Sequence, residues 1–224
     1  MTSAPASTAP HAPNDSWVPI RSVSPRQREH VASHLLALSP EDRFLRFGFQ
    51  ASDAQIAQYV DALDFERDDI FGIFNRRLEL IALAHLANAS QADAAAGGKE
   101  SEFGVSVLAR YRGRGFGKRL FARAALHARN HGVDTLLIHA LSQNRPMLGI
   151  IRDAGAVVRL DGSETTSRLS LPSQTWASQV DEMAESRAAE IDYRFKEQAL
   201  NLTDFVEGVA EIKKQIANVR IASE

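Results

Sequence analysis

Cysteine is absent from the chain. Its absence removes disulfides, thiolate zinc sites, iron–sulfur clusters and any acyl-cysteine intermediate, so the chemistry must rest on oxygen and nitrogen groups. No apolar run reaches the roughly 20 residues of a membrane-spanning helix. The opening MTSAPASTAPHAPNDS lacks both the early basic residues and the apolar stretch of a secretory signal, and the expectation is a cytoplasmic protein without a membrane partner. A large excess of one charge is missing too. The formal net charge of −2 over 224 residues argues against holding nucleic acid by bulk electrostatics, while a local basic patch can still seat one phosphorylated ligand.

What remains is 44% apolar and 24% charged, the balance of a soluble globular domain with an appendage. Residues 1–16 read as a disordered leader, since Ala, Pro, Ser and Thr leave almost nothing to bury. A domain is expected over 17–172, starting near Trp17 with a short strand, WVPIRSV. Ser24-Pro25 and Ser39-Pro40 each open a helix, and Ser52 or Asp53 caps a third. Asp69–Asn75 and Leu78–Ala87 then read as strands joined by a two-residue Arg-Arg hairpin. SEFGVSVLAR alternates as a half-buried strand, with Phe103, Val105, Val107 and Ala109 on one side. Helix, strand, helix and two closing strands follow, with helices ending on Gly132 and Gly155, which makes the domain mixed α/β. Residues 173–224 read as a tail of two amphipathic helices parted near NLTD. Trp176, Val180 and Met183, then Phe205, Val209, Ile212, Ile216 and Val219, recur at spacings of three and four. That stripe either packs back on the domain or zips against a second copy to form a homodimer.

The sharpest feature is RYRGRGFGKR, Arg110 to Arg119, in which Gly113, Gly115 and Gly117 stand at every second position. Between Gly104 and Val133 there are seven Lys or Arg residues and no Asp or Glu. A strand, a glycine turn and a helix starting at that turn make an anion site, because unpaired N–H groups converge there and the helix dipole adds positive charge. Two phosphate motifs fail. A dinucleotide fingerprint needs glycine where Lys118 stands, and a P-loop needs glycine at Arg112 and Ser or Thr at Arg119.

Arg/Gln-x-x-Gly-x-Gly/Ala does fit, through Arg112, Gly115 and Gly117. This turn, the strand VDTLLIHAL, Asn144 at the next helix and LGIIRDAGA together resemble the acyl-CoA site of the GCN5-related N-acetyltransferase (GNAT) family. SPEDRFLRF and the Gly-turn strand are similar to bacterial protein-lysine acetyltransferases in particular. The resemblance spans about residues 17–171. It implies the GNAT fold, a mixed and mostly antiparallel sheet flanked by helices, here with a C-terminal helical extension. It also implies that backbone amides of Arg112, Gly113, Arg114, Gly115, Gly117 and Lys118 hold the pyrophosphate of acetyl-CoA. Val107 and Ala109 would pair with the pantetheine arm in a cleft between the two strands, and Asn144 would bind the arm or the turn. Glu102 would be the general base, with Glu100 as the alternative.

The sequence departs from the family where a tyrosine acid is common, at Ile151, and where Ala156 replaces the signature phenylalanine. Ser142 is the nearest substitute acid. His139 is a second candidate base, and Asp64 is a candidate to orient the acceptor's ammonium. His30/His34 and His127/His131 have a zinc-compatible spacing but no third ligand in view, so solvated helix faces and no metal are expected. The expected function is direct acetyl transfer from acetyl-CoA to an amine, either a protein lysine or a small molecule. The alternatives are an acyl-CoA-binding sensor that signals through the tail and a coiled-coil adaptor on an inherited scaffold.

Overall fold

The computed structural model describes residues 18–89, 99–161 and 164–221, with residues 160, 161, 164 and 201–221 described through their backbone only. The expected leader, Trp17, most of the loop after β3 and the side chains of Phe205 to Val219 lie outside the described residues. The elements are β1 (Arg21–Ser22), α1 (Arg28–Leu36), α2 (Pro40–Phe47), α3 (Asp53–Asp61), β2 (Asp69–Phe74), β3 (Leu80–Asn88) and β4 (Glu100–Val107). They continue with α4 (Phe116–Asn130), β5 (Thr135–Leu141), α5 (Arg145–Asp153), β6 (Val157–Asp161), β7 (Glu164–Ser170) and α6 (Trp176–Ile221).

One sheet of seven strands runs β1-β2-β3-β4-β5-β7-β6, antiparallel except where β4 meets β5. Alternation along the strands splits the core between two faces. Phe71 and Ile73 of β2 join Phe103, Leu120, Leu136 and Ile151 beneath α4 and α5. Ile70 and Phe74 join Val31, Leu35, Ile56 and Val60 beneath α1 and α3. Caps set the helix starts: Ser39 Oγ accepts from Asp42 N–H at 3.2 Å, and Ser52 forms a capping box with Gln55. Ser24-Pro25 opens a 3₁₀ turn over Pro25–Gln27, which leads into α1.

Two expectations change. The β2–β3 connection is not a two-residue hairpin, because β2 ends at Phe74 and β3 starts at Leu80. Arg-Arg is poorly suited to the positive φ values of a tight primed turn. Instead Asn75 Oδ1 accepts from the N–H groups of Arg77 and Glu79, and Leu78 alone takes a left-handed φ of 58°. The tail is one helix of 46 residues, with no break at Asn201–Asp204. Asn, Thr and Asp cost a helix only tenths of a kcal/mol each, at most about 0.7, far below proline's roughly 3.

The first part of α6 lies on α4 and β1 through its polar side. Glu182 is buried and accepts from Arg123 at 2.7 Å, Asn130 at 2.6 Å and His127 at 2.5 Å. Arg123 also reaches Ser186, Ser178 donates to Asn130, Arg21 pairs with Glu190 at 2.9 Å, and Lys196 donates to the Phe74 carbonyl. The apolar stripe is left facing outward, with Trp176 86%, Val180 61%, Met183 56%, Ile191 56% and Phe195 68% exposed. The helix is amphipathic in reverse relative to its own domain.

Candidate active site

A fork in the sheet positions everything that follows. β4 pairs with β3 from Ser101 to Val107, but with β5 only from Glu100 to Glu102. Beyond the Glu102–Leu137 rung the two parallel strands part, and cavities open in the gap. One, of about 450 Å³, runs from Val105 and Val107 to the glycine turn, under Asp42 of α2 and against Ile150 of α5. The other, of about 380 Å³, is lined by Glu102, Gly104, His139, Tyr59 and Arg46. The two share walls at Arg46, Val105, Asn144 and Met147. A smaller cavity of about 240 Å³ is lined by Ile20, Arg119, Arg123 and Glu185.

Gly113 and Gly115 hold φ of 74° and 76°, and a Cβ on either would meet nothing within 4 Å. Backbone conformation is therefore what requires glycine there. The helix ladder of α4 begins with Arg119 N–H on the Gly115 carbonyl at 3.1 Å, so the N–H groups of Phe116, Gly117 and Lys118 precede it. A Cβ on Gly117 would make only ordinary contact, 3.4 Å from Ile150 Cδ1, across a wall of the larger cavity. The residues present thus fit a diphosphate: a bare backbone, open amides and a helix N-terminus at the mouth of a cavity.

The side chains of the turn are tied elsewhere. Arg112 forms an ion pair with Asp42 of α2 and donates through Nε to the Val107 carbonyl at 3.2 Å, while its amide donates to Ala109. Lys118 pairs with Asp153 at 2.8 Å and Arg110 with Glu79 at 2.8 Å, and Arg114 lies 5.4 Å from the Tyr111 ring centroid. The single-sign stretch of sequence is thus met in space by carboxylates from three other segments. Ala109 is not on the strand. β4 ends at Val107, and Ala109 opens a 3₁₀ turn, Ala109–Tyr111, whose first carbonyl takes the Arg112 amide.

Glu102 is exposed on the wall of the second cavity, and among the described residues its carboxylate makes no ion pair or hydrogen bond. Glu100 pairs with Arg168 at 2.9 Å and faces a different depression. Asn144 caps α5, its Oδ1 accepting from Met147 N–H at 3.2 Å, and its amide borders both cavities. Ile151 is fully buried in the core, so this position does not present its side chain to the cleft. Ser142 is exposed after the end of β5. His139 is exposed on the cavity wall rather than buried, 3.4 Å from Thr166 Oγ1. Asp64 closes a turn by accepting from the N–H groups of Glu66 and Arg67.

Sequence reasoning missed Arg46 and what holds it. Arg46 Nη2 donates to Tyr59 Oη at 3.0 Å, Tyr59 donates to His85 Nδ1 at 2.7 Å, and His85 Nε2 donates to Asp68 at 3.1 Å, the tautomer that makes every link a donor–acceptor pair. Burial and the Arg46 cation lower the His85 pKa despite the Asp68 carboxylate. The guanidinium lies on Gly104, where an added Cβ would fall 2.6 Å from its central carbon. A glycine inside a strand was the available signal for such a close approach.

The paired histidines divide, with His131 exposed and His30 and His127 half-buried. His34 is buried between the Leu80 carbonyl and Ser106 Oγ, and burial pulls its pKa down to about 4. Among the described residues, His127, His131 and Glu182 bring potential ligand atoms within 4.8 Å. Both ring nitrogens of His127 already bind carboxylates, Asp69 at 3.0 Å and Glu182 at 2.5 Å. No helix among the described residues is long and apolar enough to cross a membrane.

A sheet that forks beside a glycine turn at a helix N-terminus is the architecture of the acyltransferase class. The profile of the Acetyltransferase (GNAT) family matches residues 33–155, more than half of the chain, and the chain belongs to that family. Among solved structures it is similar to the GNAT domain of S. lividans PAT, with a TM-score of 0.56 and 20% identity over 68% of this chain and 89% of that one. It is also similar to spermidine N-acetyltransferase from Vibrio cholerae in complex with CoA and spermine, with a TM-score of 0.50 and 14% identity over 69% and 94% of the two chains. At these identities the likeness is one of fold. A search among curated protein sequences returned no match.

Proposed function

We propose that the protein is an N-acetyltransferase of the cytoplasm that moves an acetyl group from acetyl-CoA directly to an amine. The observation that carries this reading is Glu102 on the last paired rung of the fork, with the glycine turn at the far end of the same cleft. The amides from Gly113 to Lys118 would take the diphosphate, the Val105–Val107 edge and Asn144 would line the arm, and the thioester would lie near the fork. An alkylamine with a pKa of about 10.4 is neutral in only about one molecule in 10³ at pH 7, so a base is needed. Glu102 removes the ammonium proton, directly or through water. The amine nitrogen forms its bond to the thioester carbon, the carbon–sulfur bond breaks, and the second proton, which the nitrogen sheds as the amide forms, passes through solvent to the departing thiolate. Residues 17–172 form the catalytic domain in this reading. Acetyl-CoA turnover over a panel of amines and peptides, with products identified by mass spectrometry, tests it.

We also propose that residues 173–224 form a homodimer through α6. The polar side of the helix is fixed to its own domain by Glu182, so the outward stripe from Trp176 to Phe195 has no partner among the described residues. From Ile191 and Phe195 the sequence continues the four-and-three spacing through Leu202, Phe205, Val209, Ile212, Ile216 and Val219. A second copy supplies the same stripe along a helix about 69 Å long. One observation favours the sensor reading beside the enzyme: α4 starts at the glycine turn and its far end grips Glu182, which links the coenzyme site to the tail through one rigid element.

A further inference from the structure

Among the described residues, two opposite charges stand without an ion-pair partner on one wall of the cavity at the fork. Glu102 and Gly104 are two residues apart in β4, so their side-chain positions share a face about 7 Å apart. The position above Gly104 is filled by the Arg46 guanidinium, delivered from α2. Arg46 forms no ion pair among the described residues, and only its bond to Tyr59 Oη uses a donor. A guanidinium held by a directed chain through Tyr59, His85 and Asp68, with most of its fork unused, is prepared for a planar anion. Were its role only to stabilise the fold, Glu102 on the same face would be the natural partner, and the two are not paired.

We propose that the acceptor is a free amino acid or a close analogue, with its carboxylate on Arg46 and its amine directed at Glu102. This rests on the acetyl-transfer reading above and names the acceptor class for that same site. Charge-assisted bonds of about 2.8 Å at each end, with the few ångström between the two groups of an amino acid, span the separation of the two side chains. The cavity, at about 380 Å³, has the size for such a molecule. Phe47 and Tyr59 lie on the same wall, available to an apolar or aromatic side chain. Arg46 is then a specificity residue. Without a carboxylate to meet it, the guanidinium would be desolvated for nothing on acceptor binding, and that penalty is what excludes simple amines.

The test compares kcat/KM with acetyl-CoA for a set of amino acids, their carboxamides and the corresponding decarboxylated amines, in the full-length protein and in Arg46→Gln. The wild type is expected to favour the acids by on the order of 10²-fold or more. In Arg46→Gln that preference should collapse from both sides, with a raised KM for the acids and a lowered one for the amides. Equal turnover of acids and amides by the wild type overturns the proposal, as does an Arg46→Gln variant that loses both alike. The wild-type ratio decides even if the variant does not fold. Turnover of peptide lysines or diamines alone refutes the acceptor class while leaving acetyl transfer intact. No turnover of any amine by protein that binds coenzyme A refutes both.

Discussion

Glu182 of α6 and His127 of α4 share a 2.5 Å hydrogen bond, and through it the tail is fastened to the helix that begins at the glycine turn. Burial lowers the His127 pKa, but the bonds to Asp69 and Glu182 outweigh it and push the value up to about 9. Burial also opposes charge on Glu182, yet the bonds from His127, Arg123 and Asn130 hold its carboxyl well below the usual range.

The pH dependence of the latch follows. Unfolded histidine titrates near 6.5, so the stabilisation from His127 is whole below about pH 6.5 and is lost as pH rises through about 9. Glu182 and Asp69 act in the opposite sense, stabilising above the unfolded carboxylate range and failing in acid. His34, held neutral by burial at about 4, adds a loss of stability as pH falls from about 6.5 toward 4. An NMR titration should place the His127 midpoint near 9, and the melting temperature should decline from pH 6.5 to 9.5. Glu182→Gln should move the His127 midpoint down toward 6.5 and flatten that decline, and an unchanged midpoint would contradict the assignment.

Gly104→Ala should act on the acceptor and spare the coenzyme. Its Cβ would fall 2.6 Å from the Arg46 guanidinium, the far end of a flexible side chain, so the cation is displaced at small cost to stability. The expected outcome is an acceptor KM raised about tenfold or more, an effect of at least about 1.4 kcal/mol, with coenzyme A affinity within about twofold of wild type by calorimetry.

Glu102→Gln should lower turnover by about 10²–10⁴-fold at saturating substrates while coenzyme A binding is retained. Single-turnover kinetics is the appropriate readout. A rate within a few-fold of wild type would remove Glu102 from the role of base.

For the tail, the double substitution Trp176→Glu and Phe195→Glu should convert a dimer to a monomer in sedimentation velocity and leave the domain folded. Both side chains face solvent in the single chain, at 86% and 68% exposure, so only association is lost. Burying either apolar side chain across an interface contributes roughly 1.5–3 kcal/mol. A wild-type monomer at tens of micromolar would refute the dimer.

Local chemistry made most of the fold legible. The Ser caps at 39 and 52, the glycine stops at 132 and 155, and the period change after Asp69 are short-range signals, and the elements form where those signals stand. The glycine turn could be read for the same reason, since its requirement is a pair of positive φ values and a helix start. What stayed hidden was long-range. Asp42 lies 70 positions before the Arg112 it binds, and Arg46 reaches Gly104 from a different helix. The stripe on α6 has the period of a core-facing helix, and periodicity alone does not reveal that a buried Glu182 turns the polar side inward.

The central claim is that the turn from Gly113 to Lys118 holds the diphosphate of an acyl-CoA, and calorimetric titration of coenzyme A into wild type and Gly117→Val tests it most directly. A Cβ at Gly117 makes only ordinary contact on the protein side, 3.4 Å to Ile150 Cδ1, and circular dichroism checks that the variant is folded. The account predicts saturable, micromolar binding by wild type and loss of at least about tenfold, or about 1.4 kcal/mol, in the variant. Equal affinity in both proteins, or none in the wild type, would contradict it.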